Sequence, residues 1–456
     1  MKAPLRVSCL ALVALWASPA YAAELPPAPA PVRIADHVVR STIDGIDVIA
    51  CPTGATDVIS FHGSLPAGDR FAPAGNRAIA TLVGAMLDKG TLMRDKFVLA
   101  NALDSVGASI SFTTGSSTLE FSGKCLRKDL TLVIDLLAEE ICSPAFAPAE
   151  LDKLKQQLSG YYQRQLESTD NRAAQAFAEA LYPAGHPNYQ PPTAELLAGL
   201  KAATVDDLKA FHRKYYGPAQ CALVVVGDLD LQTVRAAVAG AFAGWTGGVK
   251  LDPATPAPPA GPAKTSVVFM PEKTSVTVLW GQATGLKYTD PDTLALRVGT
   301  AILGSGFTGR LMATVRDKEG LTYGIGAVAN NDTFTDGDWH ISATFAPALL
   351  AKGLASTKRE LTAWYGQGVT ATELERRKTN LAGAFKVGLA TTDGLAAALL
   401  AAVNRGLDVT WLDEYPEKVE AISLEQVNGA IKKYLDPDKM VLVEAGTVPG
   451  AEAKAP

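Results

Sequence analysis

The sequence predicts an α+β fold in which one domain occurs twice, each copy a largely antiparallel, mixed sheet layered with helices. Three observations support this prediction. A proline-rich segment divides the chain near its middle, a helix–turn–strand pattern recurs in both halves, and strand and helix patterns alternate irregularly rather than as strict β–α–β units. We therefore expect an N-terminal domain over 23–246, a linker over 247–265 and a C-terminal domain over 266–456.

Residues 1–22 have the pattern of a secretory signal peptide. A short basic start, MKAPLR, precedes an apolar run of eleven residues, VSCLALVALWA, and the small residues AYA that a signal peptidase requires. A transmembrane helix needs roughly 20 apolar residues, so the run is too short to be one. The sequence therefore predicts an exported, periplasmic protein whose mature chain begins at Ala23 and has no membrane span.

Charge and cysteine content narrow the class of protein further. The 456 residues carry a formal net charge of −5. Nucleic-acid binding usually calls for a basic patch, so this charge speaks against a nucleic-acid-binding protein.

Four cysteines follow the predicted signal peptide: Cys51, Cys125, Cys142 and Cys221. The sequence between Cys125 and Cys142 reads as a helix, which would hold these two roughly 20 Å apart and out of reach of a disulfide. We expect free thiols that are buried as small apolar groups.

The internal repeat is clearest near the end of each predicted domain. TVDDLKAFHRKYYGPAQCALVVVGDL begins at Thr204, and SLEQVNGAIKKYLDPDKMVLVEAGTV begins at Ser423, an offset of 219 residues. Each copy opens with a hydroxyl residue and an Asp or Gln three positions later, which is a helix-start signature. An amphipathic helix, a proline turn and a β-branched strand follow in both copies. A period this long indicates a duplicated domain rather than a solenoid.

Other elements can be placed by their periodicity. TLVGAMLDKGT, from Thr81, and ELERRKTNLAGAFKVGLA, from Glu373, have helical spacing. TSVVFMP, TSVTVLWG and DWHISATFAP read as strands, the last with alternating sides. GLAAALLAAV at 394–403 is ten apolar or small residues between charged neighbours, so we expect a buried helix there rather than a membrane span.

Two common motifs do not apply to this chain. GSGFTG at 304–309 has the GxGxxG spacing of a dinucleotide-binding loop, but it follows a helical pattern instead of a strand, so a glycine turn explains it better. The nearest two of the five histidines are 25 residues apart, which excludes the HExxH and HxxEH zinc motifs. We expect His212 and His340 to be surface residues rather than metal ligands. No GxSxG nucleophile motif occurs either.

VRDKEGLTYGIGA, residues 315–327, places Arg316 and Tyr323 seven positions apart around a glycine. Arginine is a permanent cation with a planar fork of donors, and the tyrosine hydroxyl can donate a hydrogen bond. A turn followed by a strand could aim both side chains at one point. Taken without its surroundings, the pair is better explained by a solvated arginine and a tyrosine that packs half into a core.

The wider stretch AILGSGFTGRLMATVRDKEGLTYGIGA closely resembles the C-terminal domain of the pitrilysin-like zinc peptidases of family M16. In that family a glycine turn precedes a helix that ends in Arg-x₆-Tyr. HPNYQPPT, DDLKAFHRKYYGPAQCALVVVGDLD and TDPDTLALRVGTAILGSGF are similar to further family landmarks in the family order, so the resemblance covers nearly the whole mature chain. It implies a half shell of two duplicated α+β domains, with Gly304, Gly306 and Gly309 in a candidate substrate loop.

The chain departs from this family where active members bind zinc. Active members carry HxxEH on a helix of the first domain, and the corresponding helix here reads TLVGAMLDKGT. The two histidines fall on Thr81 and Ala85, the catalytic glutamate on Gly84, and the third ligand on Tyr161 or Tyr162. Zinc needs three protein ligands that can donate to it, which these side chains do not provide. The comparison implies no catalytic residue, metal or cofactor of the chain's own.

Some bacterial members of the family pair two related chains, one with the zinc motif and one with the Arg/Tyr pair. This resemblance implies that the chain is a non-catalytic, substrate-positioning subunit of an exported peptidase heterodimer that cleaves peptides. A related partner with an intact HxxEH would supply zinc and the general base. Tyr323 would donate to the oxyanion, and Arg316 would hold a substrate carbonyl or carboxylate. The alternatives are a purely structural or binding paralogue with no role in proteolysis, and a stand-alone enzyme with another mechanism.

Overall fold

Two sheets, each covered by helices, form the described part of the chain. The computed structural model describes residues 33–55 and 57–451, so the predicted signal peptide lies outside the described residues. The described residues from Ile34 to Ala451 belong to one compact unit. The predicted α+β class with two largely antiparallel sheets is confirmed.

The first sheet has six strands: β1 (Val39–Ile43), β2 (Ile46–Pro52), β3 (Val58–Leu65), β4 (Ser109–Thr114), β5 (Leu119–Leu126) and β6 (Ala222–Gly227). Their spatial order is β1-β2-β6-β3-β5-β4, which makes β4 one edge of the sheet. Neighbouring strands run antiparallel except β2 and β6. Every residue of β6 is buried, as its uninterrupted apolar run ALVVV predicts for a central strand.

The second sheet repeats this topology with five strands: β7 (Lys264–Phe269), β8 (Val276–Ala283), β9 (Thr322–Asn330), β10 (Asp338–Phe345) and β11 (Val441–Gly446). The order β7-β11-β8-β10-β9, with β7 and β11 parallel, matches β2-β6-β3-β5-β4 strand for strand. The central strands end in Gly227 and Gly446, which have the same left-handed φ of 142° and are the glycines paired by the 219-residue offset. The duplication predicted from the sequence is confirmed.

The helices of the first half are α1 (Ile79–Met86), α2 (Lys96–Asp104), α3 (Leu130–Cys142), α4 (Pro148–Leu166), α5 (Thr169–Leu181), α6 (Thr193–Ala202), α7 (Val205–Tyr215) and α8 (Leu231–Ala241). Those of the second half are α9 (Thr293–Gly304), α10 (Leu350–Gln367), α11 (Ala371–Gly388), α12 (Thr392–Asn404), α13 (Trp411–Ala421) and α14 (Leu424–Tyr434). The helix-start signatures predicted at Thr204 and Ser423 are capping boxes that begin α7 and α14.

Each half lends one helix to the sheet of the other half. Helix α12 packs its buried Leu395 and Leu399 against Val224 and neighbouring residues of the first sheet. Helix α5 packs Phe177 into an apolar cluster with β8 and β11 of the second sheet. Full burial of such side chains contributes about 1.5–3 kcal/mol each, so the exchange stabilises the two halves as one unit. The apolar segment at 394–403 is the buried helix that the sequence predicts.

Two histidine predictions were wrong. The Nε2 atom of His212 lies 2.7 Å from the carbonyl oxygen of Ile141, and burial lowers the pKa of this imidazole. The Nδ1 atom of His340 lies 2.7 Å from Oδ1 of Asp338, under helix α5. Their polar sequence neighbours suggested a surface position, but contacts from distant elements cover both rings.

The four cysteines among the described residues are free thiols, and three of them are buried. Cys125 lies near the end of β5 rather than in a helix, because α3 begins only at Leu130.

Within the described residues, no single helix is long and apolar enough to cross a membrane. Helices α11 and α12 reach that length only together, and the chain bends by 111° between them.

Candidate functional site

Three of the positions that correspond to zinc ligands line one cavity. Helix α1 carries Thr81, and helix α4 carries Tyr161 and Tyr162, where it passes α1. All three line a cavity of about 400 Å³ with polar walls. The structure therefore brings together residues that the sequence places 80 positions apart, although none of them is a usual zinc ligand.

Asp69 lines the same cavity and was missed by the sequence analysis. The Thr81 hydroxyl donates to Oδ1 of Asp69 at 3.0 Å, and burial raises the pKa of this carboxyl to about 6. Burial is the main reason that the pKa of the Tyr162 hydroxyl is raised to about 12, and the negative charge of Asp69 is the second. Asp69 begins a 3₁₀ helix of three residues, Asp69–Phe71, which is too short to show a helical or strand periodicity.

The cavity does not fit a zinc ion. Threonine and protonated tyrosine hydroxyls are poor zinc donors, and the partly buried Ala85 packs against the core and offers none. A Cβ atom added at Gly84 would lie 2.2 Å from Oγ1 of Thr114 and 2.9 Å from Cδ1 of Leu119, so no side chain fits at the position of the general base. Between residues 33 and 451, excluding residue 56, no group of three or more His, Cys, Asp or Glu could hold a metal ion.

Arg316 and Tyr323 meet at the other candidate site, in the second half. Arg316 lies in a π-helical segment, Met312–Lys318, and Tyr323 lies at the start of β9. The guanidinium carbon of Arg316 is 5.2 Å from the centre of the Tyr323 ring. π-Helical turns are frequent at functional sites, where they re-aim side chains. A turn followed by a strand does bring the two side chains together.

A β-bulge turns Tyr323 towards solvent. Strand β9 is an edge strand, and it pairs Thr322 with Phe345 and Ile325 with Ala343. Two residues of β9 therefore oppose a single residue of β10 at this point, and one of them is Tyr323. Bulges occur often beside active sites because they bend a strand and redirect its side chains. The Tyr323 side chain is 88% exposed, which leaves its hydroxyl free to meet a ligand.

The glycines at 304–309 form the tight turn between α9 and the π-helical segment. Gly304 is packed so closely that a Cβ atom there would lie 2.2 Å from the backbone nitrogen of Ala327, and Gly306 has a left-handed φ of 66°. At Gly309 a Cβ atom would lie 3.0 Å from the nitrogen of Ser305. The turn displays Phe307, which is 71% exposed and which the sequence analysis did not single out.

Two arginines hold this turn in place. Arg310 donates from Nε and Nη2 to the two carboxylate oxygens of Glu373, each at 2.7 Å, and this pairing lowers the pKa of Glu373 to about 2. Arg377, only 7% exposed, donates to the carbonyl of Ser305 at 3.1 Å and to Oγ1 of Thr308 at 3.5 Å. Glu373 and Arg377 both lie in the first turns of α11, so the glycine turn is fixed to a long helix.

The Arg316–Tyr323 site offers hydrogen-bond donors and no nucleophile or general base. Its nearest carboxylate is that of Asp317, whose Oδ1 is 3.8 Å from Nε of Arg316. A guanidinium binds carbonyl and carboxylate oxygens in its plane, and a phenol donates a single hydrogen bond. Such a set can orient a peptide and stabilise a developing negative charge, but it cannot by itself activate water.

The cavity around Asp69 leads to a prediction about stability. The folded-state pKa of about 6 lies above the unfolded value near 4, so the stability that this group contributes is present below pH 4 and is lost as the pH rises to 6. Asp69→Asn removes the buried charge and should raise the free energy of unfolding at pH 7.5 by about 1–2 kcal/mol, but not at pH 4. Urea unfolding at both pH values tests this, with the exposed Asp104→Asn as control. Equal effects of Asp69→Asn at the two pH values would contradict it.

Two family models match different parts of the chain, and each part contains one of the two candidate sites. The family model described as Insulinase (Peptidase family M16) matches residues 64–189, which include the altered ligand positions. The model described as Peptidase M16 inactive domain matches residues 202–381, which include Arg316 and Tyr323. Together the two models match more than half of the chain.

Among the relatives of this chain, some are named as proteases and one is named as a non-peptidase. A zinc protease of uncharacterised function from Streptomyces coelicolor is 25% identical over 316 residues, 68% of this chain and 68% of its own length. The non-peptidase homolog YmxG of Helicobacter pylori is 22% identical over 382 residues, 82% of this chain and 86% of its own.

Solved structures show the same fold. The peptidase M16 inactive domain from Pseudomonas fluorescens superposes with a TM-score of 0.84 at 24% identity, over 91% of this chain and 99% of that chain. The periplasmic protease PqqL of Escherichia coli superposes with a TM-score of 0.74 at 16% identity, over 90% of this chain but only 46% of PqqL. From the two family models and this shared fold, we conclude that the chain belongs to peptidase family M16.

Proposed function

We propose that this chain is the non-catalytic, substrate-positioning subunit of a two-chain M16 peptidase that cleaves peptides. The proposal rests on one observation: this chain keeps the substrate-binding residues of the family active site but lacks the residues that bind zinc and activate water. The Arg316–Tyr323 pair is present and held in place, whereas the positions of the zinc ligands and the general base carry Thr81, Gly84 and Ala85. A chain with only the substrate-binding part needs a partner that carries HxxEH.

In this proposal the chain contributes donors to a bound peptide. Arg316 binds a carbonyl or carboxylate of the peptide with the N–H groups at the edge of its guanidinium. The Tyr323 hydroxyl, exposed on the bulge of β9, donates to the oxyanion as the scissile carbonyl is attacked. The metal and the general base belong to the partner.

Two comparisons support the proposal. The match to PqqL covers less than half of that chain, which leaves room in PqqL for a second unit of similar size. YmxG, which is similar over most of this chain, is named a non-peptidase homolog. The predicted signal peptide would place this chain in the periplasm, and the proposal requires the partner to be exported as well.

Co-expression with an HxxEH-bearing relative from the same genome tests the proposal. We expect a 1:1 complex by size exclusion with light scattering, zinc in the complex but not in this chain alone, and peptide cleavage only by the complex. A partner whose HxxEH glutamate is replaced by glutamine should still assemble and should not cleave. One tightly bound zinc per isolated chain, or cleavage by the isolated chain, would contradict the proposal. A stable complex with full activity in the absence of Arg316 and Tyr323 would favour a purely structural subunit.

A further inference from the structure

The guanidinium of Arg316 lies near two exposed aromatic rings. Its central carbon lies 5.0 Å from the centre of the Phe307 ring and 5.2 Å from the centre of the Tyr323 ring. Both distances are within the range of cation–π attraction, about 6 Å. The glycine turn and the bulged edge strand, two separate elements, thus supply one ring each.

These contacts leave the hydrogen-bond donors of the guanidinium available. Arginine has five N–H donors, and the carbon atoms of an aromatic ring are not ordinary hydrogen-bond acceptors. In the part of the chain that the structure describes, the one carboxylate within 4.0 Å of the Arg316 nitrogens is that of Asp317, at 3.8 Å from Nε. The edge donors are therefore prepared for an oxygen ligand that another molecule supplies.

Phe307 is exposed on a turn that is fixed. Arg377 holds the carbonyl of Ser305 and the hydroxyl of Thr308 on either side of Phe307, and Arg310 ties the following residues to Glu373. A large apolar side chain that is 71% exposed has no packing reason to be displayed in this way. Exposed aromatic rings beside hydrogen-bond donors are typical of contact sites for a ligand.

We propose that Phe307 determines substrate specificity at this site. Its ring holds Arg316 from one side, and its exposed side packs against a bulky apolar side chain of the bound peptide. That side chain is adjacent to the carbonyl or carboxylate that Arg316 binds. The preferred substrate is thus a peptide with a large apolar residue next to the anchored group. This inference rests on the proposed function, because it assumes that a peptide reaches Arg316.

Steady-state kinetics of the two-chain complex test the inference. The substrates are a peptide with leucines around the cleavage site and a set in which each leucine in turn is replaced by serine. Phe307→Ala should raise KM roughly tenfold for the leucine peptide and change it less than twofold for the one peptide that lacks the contacted leucine. The kcat value should stay within twofold. Phe307→Trp should retain wild-type KM, and Val387→Ala, which truncates another exposed apolar side chain, should change nothing.

Three results would overturn this inference alone. An equal loss on every peptide would mean that Phe307 acts only by supporting Arg316. A weaker complex with unchanged KM would make Phe307 an interface residue. Wild-type behaviour of Phe307→Ala, together with a raised KM for Arg316→Lys, would remove the role of Phe307 and leave the proposed function standing. An inactive wild-type complex, or an Arg316→Lys variant without effect, would overturn both.

Discussion

Tyr323→Phe is expected to lower kcat of the two-chain peptidase at least tenfold, and by up to about 10²- to 10³-fold, which is the usual effect of losing one oxyanion donor. The substitution removes one hydroxyl and hardly changes the volume of the side chain. Because the side chain is 88% exposed, folding should not depend on that hydroxyl. KM should change less than kcat, because the oxyanion exists only near the transition state.

Two further variants sharpen this result. Arg316→Lys keeps the charge but loses the planar fork of donors, so it should mainly raise KM. Tyr161→Phe removes another exposed tyrosine hydroxyl, at an altered zinc-ligand position, and should leave kcat unchanged. Melting temperatures measured beside the kinetics separate a catalytic loss from unfolding. Wild-type kcat in Tyr323→Phe would show that this hydroxyl does not face the reacting carbonyl.

The second large effect is expected from restoring the glutamate of the zinc motif. Gly84 lies in the buried helix α1, and a Cβ atom there would lie 2.2 Å from Oγ1 of Thr114 on β4. Gly84→Glu would force β4 away from the helix and bury a carboxylate, at a cost of about 4 kcal/mol or more. Gly240→Glu, on the exposed side of α8 with nothing within 4 Å of its Cβ position, is the matched control and should be near neutral.

Urea unfolding and zinc analysis of these variants check the prediction. The triple variant Thr81→His, Gly84→Glu, Ala85→His should be too unstable to recover zinc binding. If Gly84→Glu unfolded at the wild-type urea concentration and the triple variant bound one zinc per chain, the cavity would be a zinc site that has lost only its ligands. The expected result is instead that the packing around α1 no longer admits the motif.

The fold was largely predictable because its signals are local. The capping boxes at Thr204 and Ser423, the alternation of β10 and the repeated central strands are short patterns with a physical cause. The exchange of α5 and α12 between the two sheets was not predictable. An apolar face shows that a helix is buried, but it does not show which sheet buries it.

The site was predictable only in part for a similar reason. The spacing of Arg316 and Tyr323 was enough to predict that they lie close together, because a turn followed by a strand brings the two side chains to one point. Phe307 and Arg377 were not found, because their contacts depend on the π-helical segment and on helix α11, which is distant in sequence. Asp69 was missed because its three-residue 3₁₀ helix is too short to show a periodicity, and only its buried contact with Thr81 distinguishes it.

The most direct measurement is a titration of the HxxEH-bearing partner with this chain at a fixed partner concentration. Peptidase activity should be negligible for the partner alone, rise linearly and reach a plateau at one chain per partner. The double variant Arg316→Lys, Tyr323→Phe should bind with the same stoichiometry and leave the activity near the baseline. If the partner were as active alone as in the complex, or if the double variant restored full activity, this chain would not supply the substrate-binding part of the peptidase.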